Sequence, residues 1–372
     1  MKTQRLLLLL GSVSLALILT LPFMLACTPA TTTTTPTTTT PTTTTPTTTP
    51  PAKIKVVMAS YPVEWGSYAL SVGQADIVNR NSNVEIIVES IGGHTACVEA
   101  VETGYAPLTP GLNFISVSYA MGGLGPFADA EWAPAKNMRA VIASELSGWG
   151  FVTAPISGVT TIPDIKGKSI PSLDWLLNRV QFMGIMEAYG IDLEEDVTIE
   201  PITMSAAAWE EIVLGRIACT FDVINLALAE PQEAVGGQIV FLPIGEEEFN
   251  QAAAANPTGF AAASLGTIMP GDIPGVNMSG PVDIVMSKTI ICGHVDILSD
   301  DVAYTIVKTL VEHYLEVQAI SFGVSTFAPE NAAPVQDICP YHPGAIQAYE
   351  ELGLWTAEHE AANQRALEAI GG

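Results

Sequence analysis

The alternation of strand-like and helix-like segments that begins near Lys53 constrains the fold more than any other feature. Short β-branched runs such as Ile54–Ala59 and Val84–Glu89 are each followed by a longer segment in which apolar residues recur at helical spacing. This alternation favours an α/β fold with mostly parallel sheets. About 320 residues follow the first strand's start, a length that suits two lobes better than one core.

The first 26 residues differ in character from this folded part. Lys2 and Arg5 precede an almost wholly apolar run from Leu6 to Ala26, which is the pattern of a secretory signal peptide. The alternative is a transmembrane anchor, because a spanning helix needs ~20 apolar residues. The run ends Met24-Leu25-Ala26-Cys27, which resembles a bacterial lipobox. We therefore predict a signal peptide at 1–26 and lipidation of Cys27.

Residues 27–52 form a segment dominated by threonine and proline. It has almost no apolar side chains to bury, and its regularly spaced prolines favour extended backbone. We therefore interpret it as a tether, on which sugars are conceivable but not indicated. A lipid anchor and a tether would hold the folded part at a membrane surface without spanning the membrane.

The charge of the chain excludes some partners. The sequence has 14 Lys and Arg against 39 Asp and Glu, a formal net charge of −25. Such acidity argues against binding to nucleic acid.

Besides Cys27, four cysteines occur without the spacing of a zinc site: Cys97, Cys219, Cys292 and Cys339. They could form two disulfides, but buried free thiols fit their apolar surroundings better.

Candidate site residues follow from the α/β pattern, because ligands of such sheets lie at the carboxyl ends of strands, against helix N-termini. The loops at these positions carry hydroxyl, amide, aromatic and charged side chains that suit a small-molecule pocket. The predicted ligand-binding residues are Ser60, Tyr61, Glu64, Trp65, Ser67, Tyr68, Gly93, His94, Thr95, Asn113, Trp149, Ser172, Asp174, Trp175, Arg179, Asp222 and Asn225.

Several of these residues have a structural alternative. Trp149 and Trp175 could pack within or between lobes, and Arg179 could form an ordinary surface ion pair instead of binding a carboxylate. Asp222 could cap a helix as well as contact a ligand. Ser67 is predicted to cap the first helix.

Signatures of catalysis are weak in this sequence. It has no GxSxG, HExxH, Walker or strand-linked GxGxxG motif. Only His94, after Gly92-Gly93 at a strand end, has the position of a functional histidine. No partner for a general base is evident, so we predict a protein that is not an enzyme and that needs neither a cofactor nor a metal.

Several longer motifs are similar to those of the TAXI family of solute-binding proteins, the receptors of tripartite (TRAP) transporters. The similar stretches are WGSYAL, VEIIVESIGGHTACVEAVETG, MRAVIAS, SGVTTIPDIKGKSI, FLPIGEEEF, LSDDVAYTIVKTLVEH, TFAPENA and PYHPGAIQAYEELGLW. Two departures are PSLDWLLNR, where the family has a loop of small residues, and LTPGLN at a strand end.

The resemblance implies a two-lobed type II periplasmic-binding-protein fold with a hinge and an interlobe cleft. One lobe would comprise 53–147 plus 281–372 and the other 148–280. The protein would be an extracytoplasmic, membrane-tethered receptor that captures a small organic solute, expected to bear a carboxylate, and delivers it to a TRAP-type permease. We expect a monomer.

The departures could instead suit a larger, more apolar or partly cationic ligand. The principal alternative function is a surface lipoprotein that senses a ligand and signals to a membrane partner. A structural lipoprotein and an enzyme on the same fold are further alternatives.

Overall fold

The computed structural model describes residues 52–63, 65–172, 176–202, 205–224, 239–273 and 278–371. Strands are β1 Ile54–Ser60, β2 Val84–Ser90, β3 Leu108–Asn113, β4 Met138–Thr153, β5 Ser169–Pro171, β6 Thr198–Glu200, β7 Cys219–Ile224, β8 Val240–Leu242, β9 Ala263–Ile268 and β10 Val282–His294. Helices are α1 Gly66–Asn81, α2 His94–Glu102, α3 Phe114–Gly122, α4 Leu176–Ala188, α5 Ser205–Val213, α6 Glu246–Ala255, α7 Asp300–Glu312, α8 Tyr314–Gln318, α9 Pro343–Glu351 and α10 Ala357–Ala369. Signal peptide, Cys27 and tether lie outside the described residues.

Eight strands form one sheet in the order β2-β1-β3-β10-β4-β7, with β8 paired to β4 and β9 paired to β10. The β1 strand pairs in parallel with β2 and β3, as predicted. In contrast, β10 is antiparallel to β3, β4 and β9. The expectation of a mostly parallel sheet was therefore wrong for the part of the sheet that contains β4 and β10, because these two long strands run in opposite directions.

The sequence also predicts separate strands at Met138–Glu145 and Phe151–Ala154, on either side of Ser147-Gly148, but β4 is continuous over 16 residues. Similarly, the sequence predicts a short strand at Ala106–Thr109 that is broken by Pro110-Gly111, but β3 continues through both residues. In both cases pairing with β10 supplies the backbone partners that local sequence cannot reveal.

Hydrophobic side chains gather in separate clusters. The first core is built from residues between Val56 and Ile142 and between Ile290 and Tyr349. The second core is built from residues between Phe151 and Val285, and two smaller clusters lie within the same stretch of chain. The predicted α/β, two-lobed fold is thereby confirmed.

Strands β4 and β10 are the elements that pass from the first core to the second. In β10, Val285 belongs to the second core and Ile290 to the first. In β4, Ile142 belongs to the first core and Phe151 to the second. The predicted lobe limits stay a prediction, and the second core extends a few residues beyond position 280, to Val285.

All four cysteines of the folded part are buried and free of disulfides. Burial raises the pKa of the Cys97 thiol to about 12, because the apolar surroundings disfavour the thiolate. These thiols therefore act as small apolar side chains. Their apolar surroundings in the sequence had favoured this state over disulfides.

Candidate functional site

Three aromatic side chains meet at the carboxyl ends of β1 and β2. The Tyr61 ring stacks on Trp65 with centroids 5.5 Å apart and lies 4.8 Å from the His94 ring. Trp65 also lies 6.3 Å from His94, and Trp65 is 3.8 Å from where a side chain on Gly93 would begin. The sequence predicted all four residues for the site, and the structure brings them together as one aromatic cluster.

Hydrogen bonds fix the proton positions in this cluster. The Tyr61 hydroxyl donates to the carbonyl of Gly111 at 2.8 Å and lies 3.2 Å from Nδ1 of His94. Because a carbonyl only accepts, the hydroxyl proton goes to Gly111 and Nδ1 of His94 donates to Tyr61. The neutral His94 ring therefore offers its Nε2 as an acceptor.

Burial lowers the pKa of His94 to about 4. The charged imidazolium is disfavoured there because aromatic neighbours displace much of the water around the half-buried ring. His94 is also the first residue of α2, next to the Gly93 N-cap, where the helix dipole further opposes a positive charge. At neutral pH it is an uncharged hydrogen-bonding group.

Gly111 connects the aromatic cluster to the two long strands. A Cβ at position 111 would lie 2.7 Å from Ser144 of β4 and 2.8 Å from the hydroxyl of Thr289 of β10. Only glycine permits this close approach. The Ser144 hydroxyl in turn exchanges hydrogen bonds with the Gln74 side chain of α1, at 3.0 and 3.1 Å.

Sequence reasoning missed Gln74, Gly111, Ser144 and Thr289. One signal was present in the sequence: Gln74 lies on the face of α1 that carries Leu70 and Val78, which are buried. A polar residue on an apolar helical face is unusual enough to mark for inspection. The other three lie within strands, where the sequence shows no reason to separate them from core positions.

Other predicted site residues of the first lobe have more local roles. The Asn113 side chain caps α3 by accepting from the backbone and hydroxyl of Ser116 at 2.8 and 2.7 Å. Ser67 does not cap α1, whose N-cap is Trp65. The Trp65 amide donates to the carbonyl of Pro62 at 3.0 Å, and the helix starts two residues earlier than expected. Ser60 is buried, Tyr68 is half-buried and Thr95 is exposed.

In the second lobe, Trp149 is half-buried and stacks on Phe221 with centroids 6.4 Å apart. Ser172 follows β5 and its hydroxyl donates to the carbonyl of Ile202 at 3.2 Å. Arg179 is exposed on α4. Four predictions fall outside the described residues: Glu64, Asp174, Trp175 and Asn225.

Asp222 is fully buried in β7, and its carboxylate accepts a hydrogen bond from the indole nitrogen of Trp209 at 2.9 Å. The sequence left a ligand contact and a helix cap open for this residue. The bond to α5 gives it a packing role within the second lobe, which neither alternative anticipated.

Within the described ranges, no group of three or more His, Cys, Asp or Glu residues is arranged to hold a metal ion. The same ranges contain no helix with the length and apolarity needed to cross a membrane.

Comparison with solved structures gives matches at low sequence identity. MatC from Rhodopseudomonas palustris with bound malate is 10% identical, with a TM-score of 0.49 over 85% of this chain and 99% of that chain. The putative periplasmic sulfonate-binding protein SsuA from Methylobacillus flagellatus is 12% identical, with a TM-score of 0.47 over 81% and 96%. A histidine-bound ABC uptake transporter protein from Streptococcus pneumoniae is 12% identical, with a TM-score of 0.45 over 72% and 90%.

Among curated proteins, none matches the sequence. The sequence does match the NMT1-like family over residues 65–353, a stretch that includes Trp65 and His94 of the aromatic cluster, both long strands, all of the second core and most of the first. The chain therefore belongs to the NMT1-like family.

Proposed function

We propose that this protein is an extracytoplasmic receptor that captures a small, carboxylate-bearing organic solute between its two lobes and delivers it to a TRAP-type permease. The observation that carries the proposal is the connection from His94 through Tyr61 and Gly111 to Ser144 and Thr289. It places hydrogen-bonding and aromatic groups beside the two strands that join the cores.

The chemistry of these groups suits capture of a solute. Aromatic rings supply apolar contact area of fixed orientation, and neutral hydrogen-bonding groups define polarity without binding a metal. The N-terminal amides of α2 would favour an anionic group of the solute. Lobe closure on β4 and β10 would be a hinge motion, with solute binding shifting the balance between open and closed states.

Membrane attachment completes the proposal. Lipidation at Cys27 and the tether at 27–52 would keep a monomeric receptor close to the permease while its folded part moves freely. The TAXI resemblance supports the TRAP-type partner, and membership of the NMT1-like family supports solute binding. No step requires catalysis or a cofactor.

The first test is native mass spectrometry of the full chain, purified without refolding. We expect a small mass that is retained under native conditions and released on denaturation. A protein that is empty, and that is not stabilised by any member of a broad metabolite panel, would overturn the proposal.

The second test asks whether the aromatic cluster binds the solute. Tyr61→Phe removes the hydroxyl that orients His94 and should weaken solute binding by about tenfold. Tyr105→Phe is the matched control, since Tyr105 is exposed on the same lobe. Equal affinities for both variants would place the binding site elsewhere.

Loss of uptake of that solute in a deletion strain, restored by the wild-type gene, would test delivery to the permease.

A further inference from the structure

Among the residues that the structure describes, three buried polar side chains have atoms without a hydrogen-bond partner: Ser60 of β1, Gln181 of α4 and Ser287 of β10. The last two belong to the part of the fold around the second core. Gln181 is 0% exposed and Ser287 is 1% exposed. Both the Nε2 and Oε1 atoms of Gln181 and the Oγ atom of Ser287 are unpaired. Buried polar atoms in native proteins nearly always have partners, because an unpaired one is costly. Their retention therefore calls for a functional explanation.

Both side chains lie beside the second core. Gln181 lies one helical turn before Ile185, on the same side of α4, towards the start of the helix. Ile185 belongs to the second core together with Phe182, Phe221 and Val285. Gln181 thus extends this core towards the loop that enters α4.

Ser287 extends the core from the side of the sheet. Its strand pairs in regular register with β9 over Val282–Ser287 and with β4 over Val285–Lys288. Residues two apart in a strand face the same side, so Ser287 shares the face of Val285. It lies in the segment of β10 between the two cores, before Ile290 of the first core.

The unpaired atoms select a chemical class of ligand. A glutamine amide offers an NH2 donor group and a carbonyl acceptor side by side, and its complement presents an acceptor and a donor at the same spacing. A primary amide or a lactam has that pattern. A carboxylate does not, because it only accepts and would leave Oε1 of Gln181 facing a negative charge.

We propose that Gln181 and Ser287 bind an uncharged amide or lactam group of the solute. The proposal rests on the proposed function and adds a second recognition point to it. The aromatic cluster of the first lobe holds one part of the solute, and the edge of the second core holds the amide.

Three matched pairs of small molecules test the proposal by calorimetry on the full chain: terephthalamate with terephthalate, nicotinamide with nicotinate, and succinamate with succinate. Each pair differs only by an amide in place of a carboxylate. We expect at least one amide to bind about tenfold more tightly than its acid. Tighter binding of the acids, or binding of none of the six compounds, would overturn the proposal.

Substitution of Gln181 should change amide binding and protein stability in opposite directions. Gln181→Met fills a similar volume without polar atoms, so it should abolish the amide preference and raise the melting temperature of the unliganded protein. Gln364→Met, at an exposed position of α10, is the matched control and should do neither. An amide preference that survives in Gln181→Met would contradict the assignment.

Ser287→Ala provides a second variant should Gln181→Met fail to fold, and it should weaken amide binding by about threefold to tenfold. Unchanged amide binding in Ser287→Ala would show that Ser287 does not bind the amide. Identification of the natural solute distinguishes a failure of this inference from a failure of the proposed function. A retained solute without an amide or lactam group would overturn the inference and leave the receptor function standing.

Discussion

Several buried polar groups of the first core are fully hydrogen-bonded, whereas Gln181 beside the second core is not. Around the first core, the Glu102 carboxylate accepts three backbone amides, the Tyr349 hydroxyl donates to backbone carbonyls, and the His342 ring lies 2.9 Å from the carbonyl of Leu298. Beside the second core, Gln181 has two unpaired atoms. Polar groups that are fully paired by backbone stabilise loops and helix ends, whereas unpaired ones are kept at a cost to stability. The comparison contrasts paired polar residues that shape the fold with an unpaired residue that we assign to a ligand.

The largest effect is expected at Glu102. Its carboxylate, 4% exposed, accepts from the amides of Lys136, Asn137 and Met138 at 2.7 to 3.1 Å. Glu102→Leu would leave these amides unpaired and should lower the free energy of unfolding by about 3 kcal/mol or more. Urea unfolding measures the loss, and Glu99→Gln, exposed on the same helix, is the control. A loss below that of the control would mean that the first core does not depend on its paired polar groups.

The pH dependence of stability tests the aromatic cluster of the first lobe, since His94 is half-buried there and titratable. Its pKa is about 4 in the folded protein against 6.5 ordinarily, so the unfolded chain takes up the proton first as pH falls. Stability is therefore full above about pH 6.5 and is lost progressively down to about pH 4, by at most about 3 kcal/mol.

The variant His94→Asn isolates this contribution. The difference in unfolding free energy between wild type and variant should shrink as pH falls from 7 to 4. A difference that is constant over this range would show that the aromatic cluster leaves the histidine open to solvent.

A paired polar group also exists in the second lobe, where Trp209 donates to the buried Asp222. Trp209→Phe removes one donor to a fully buried carboxylate and should cost about 2 kcal/mol in thermal or urea unfolding. Trp355→Phe is the matched control, since the indole of Trp355 donates to Glu360 near the surface at 3.1 Å. Equal losses in the two variants would assign the effect to packing alone.

The smallest effect is expected at Ser60, whose buried hydroxyl at the end of β1 has no partner among the described residues. Ser60→Ala should leave the free energy of unfolding within about 0.5 kcal/mol or raise it, because no hydrogen bond is lost. Ser71→Ala, which removes a hydroxyl that donates to the carbonyl of Ser67 at 2.8 Å, should be the more damaging of the two. The reverse order would contradict the rule drawn from the two cores.

Local sequence predicted the elements of the first lobe well. The β-branched runs at β1 and β2 fall where they were expected. Val302, Ile306 and Leu310, which recur at helical spacing in the sequence, lie buried on one face of α7. Prediction was poorer where pairing comes from distant residues. Strand β4 runs through Ser147-Gly148 because β10 lies beside it, 140 residues further along the chain at the Ser147–Ser287 pair.

The candidate site divides in the same way. Tyr61, Trp65 and His94 were found because they lie in loops at strand ends, which the α/β pattern locates. Gln181 and Ser287 were missed because each lies inside a regular element, and a polar residue there is indistinguishable from a solvent-facing one until the neighbours are known.

The sequence by itself determined the α/β class and the position of the first-lobe aromatic residues, and it favoured buried free cysteines over disulfides. These properties depend on hydrophobic periodicity and on residue types that act within one element or one loop. Only the tertiary structure decided that β4 and β10 join the two cores, that Gly111 must be a glycine, and that Gln181 and Ser287 lack partners. Strand pairing, close packing and hydrogen-bond satisfaction all depend on atoms that are far apart in the chain and adjacent only in the folded protein.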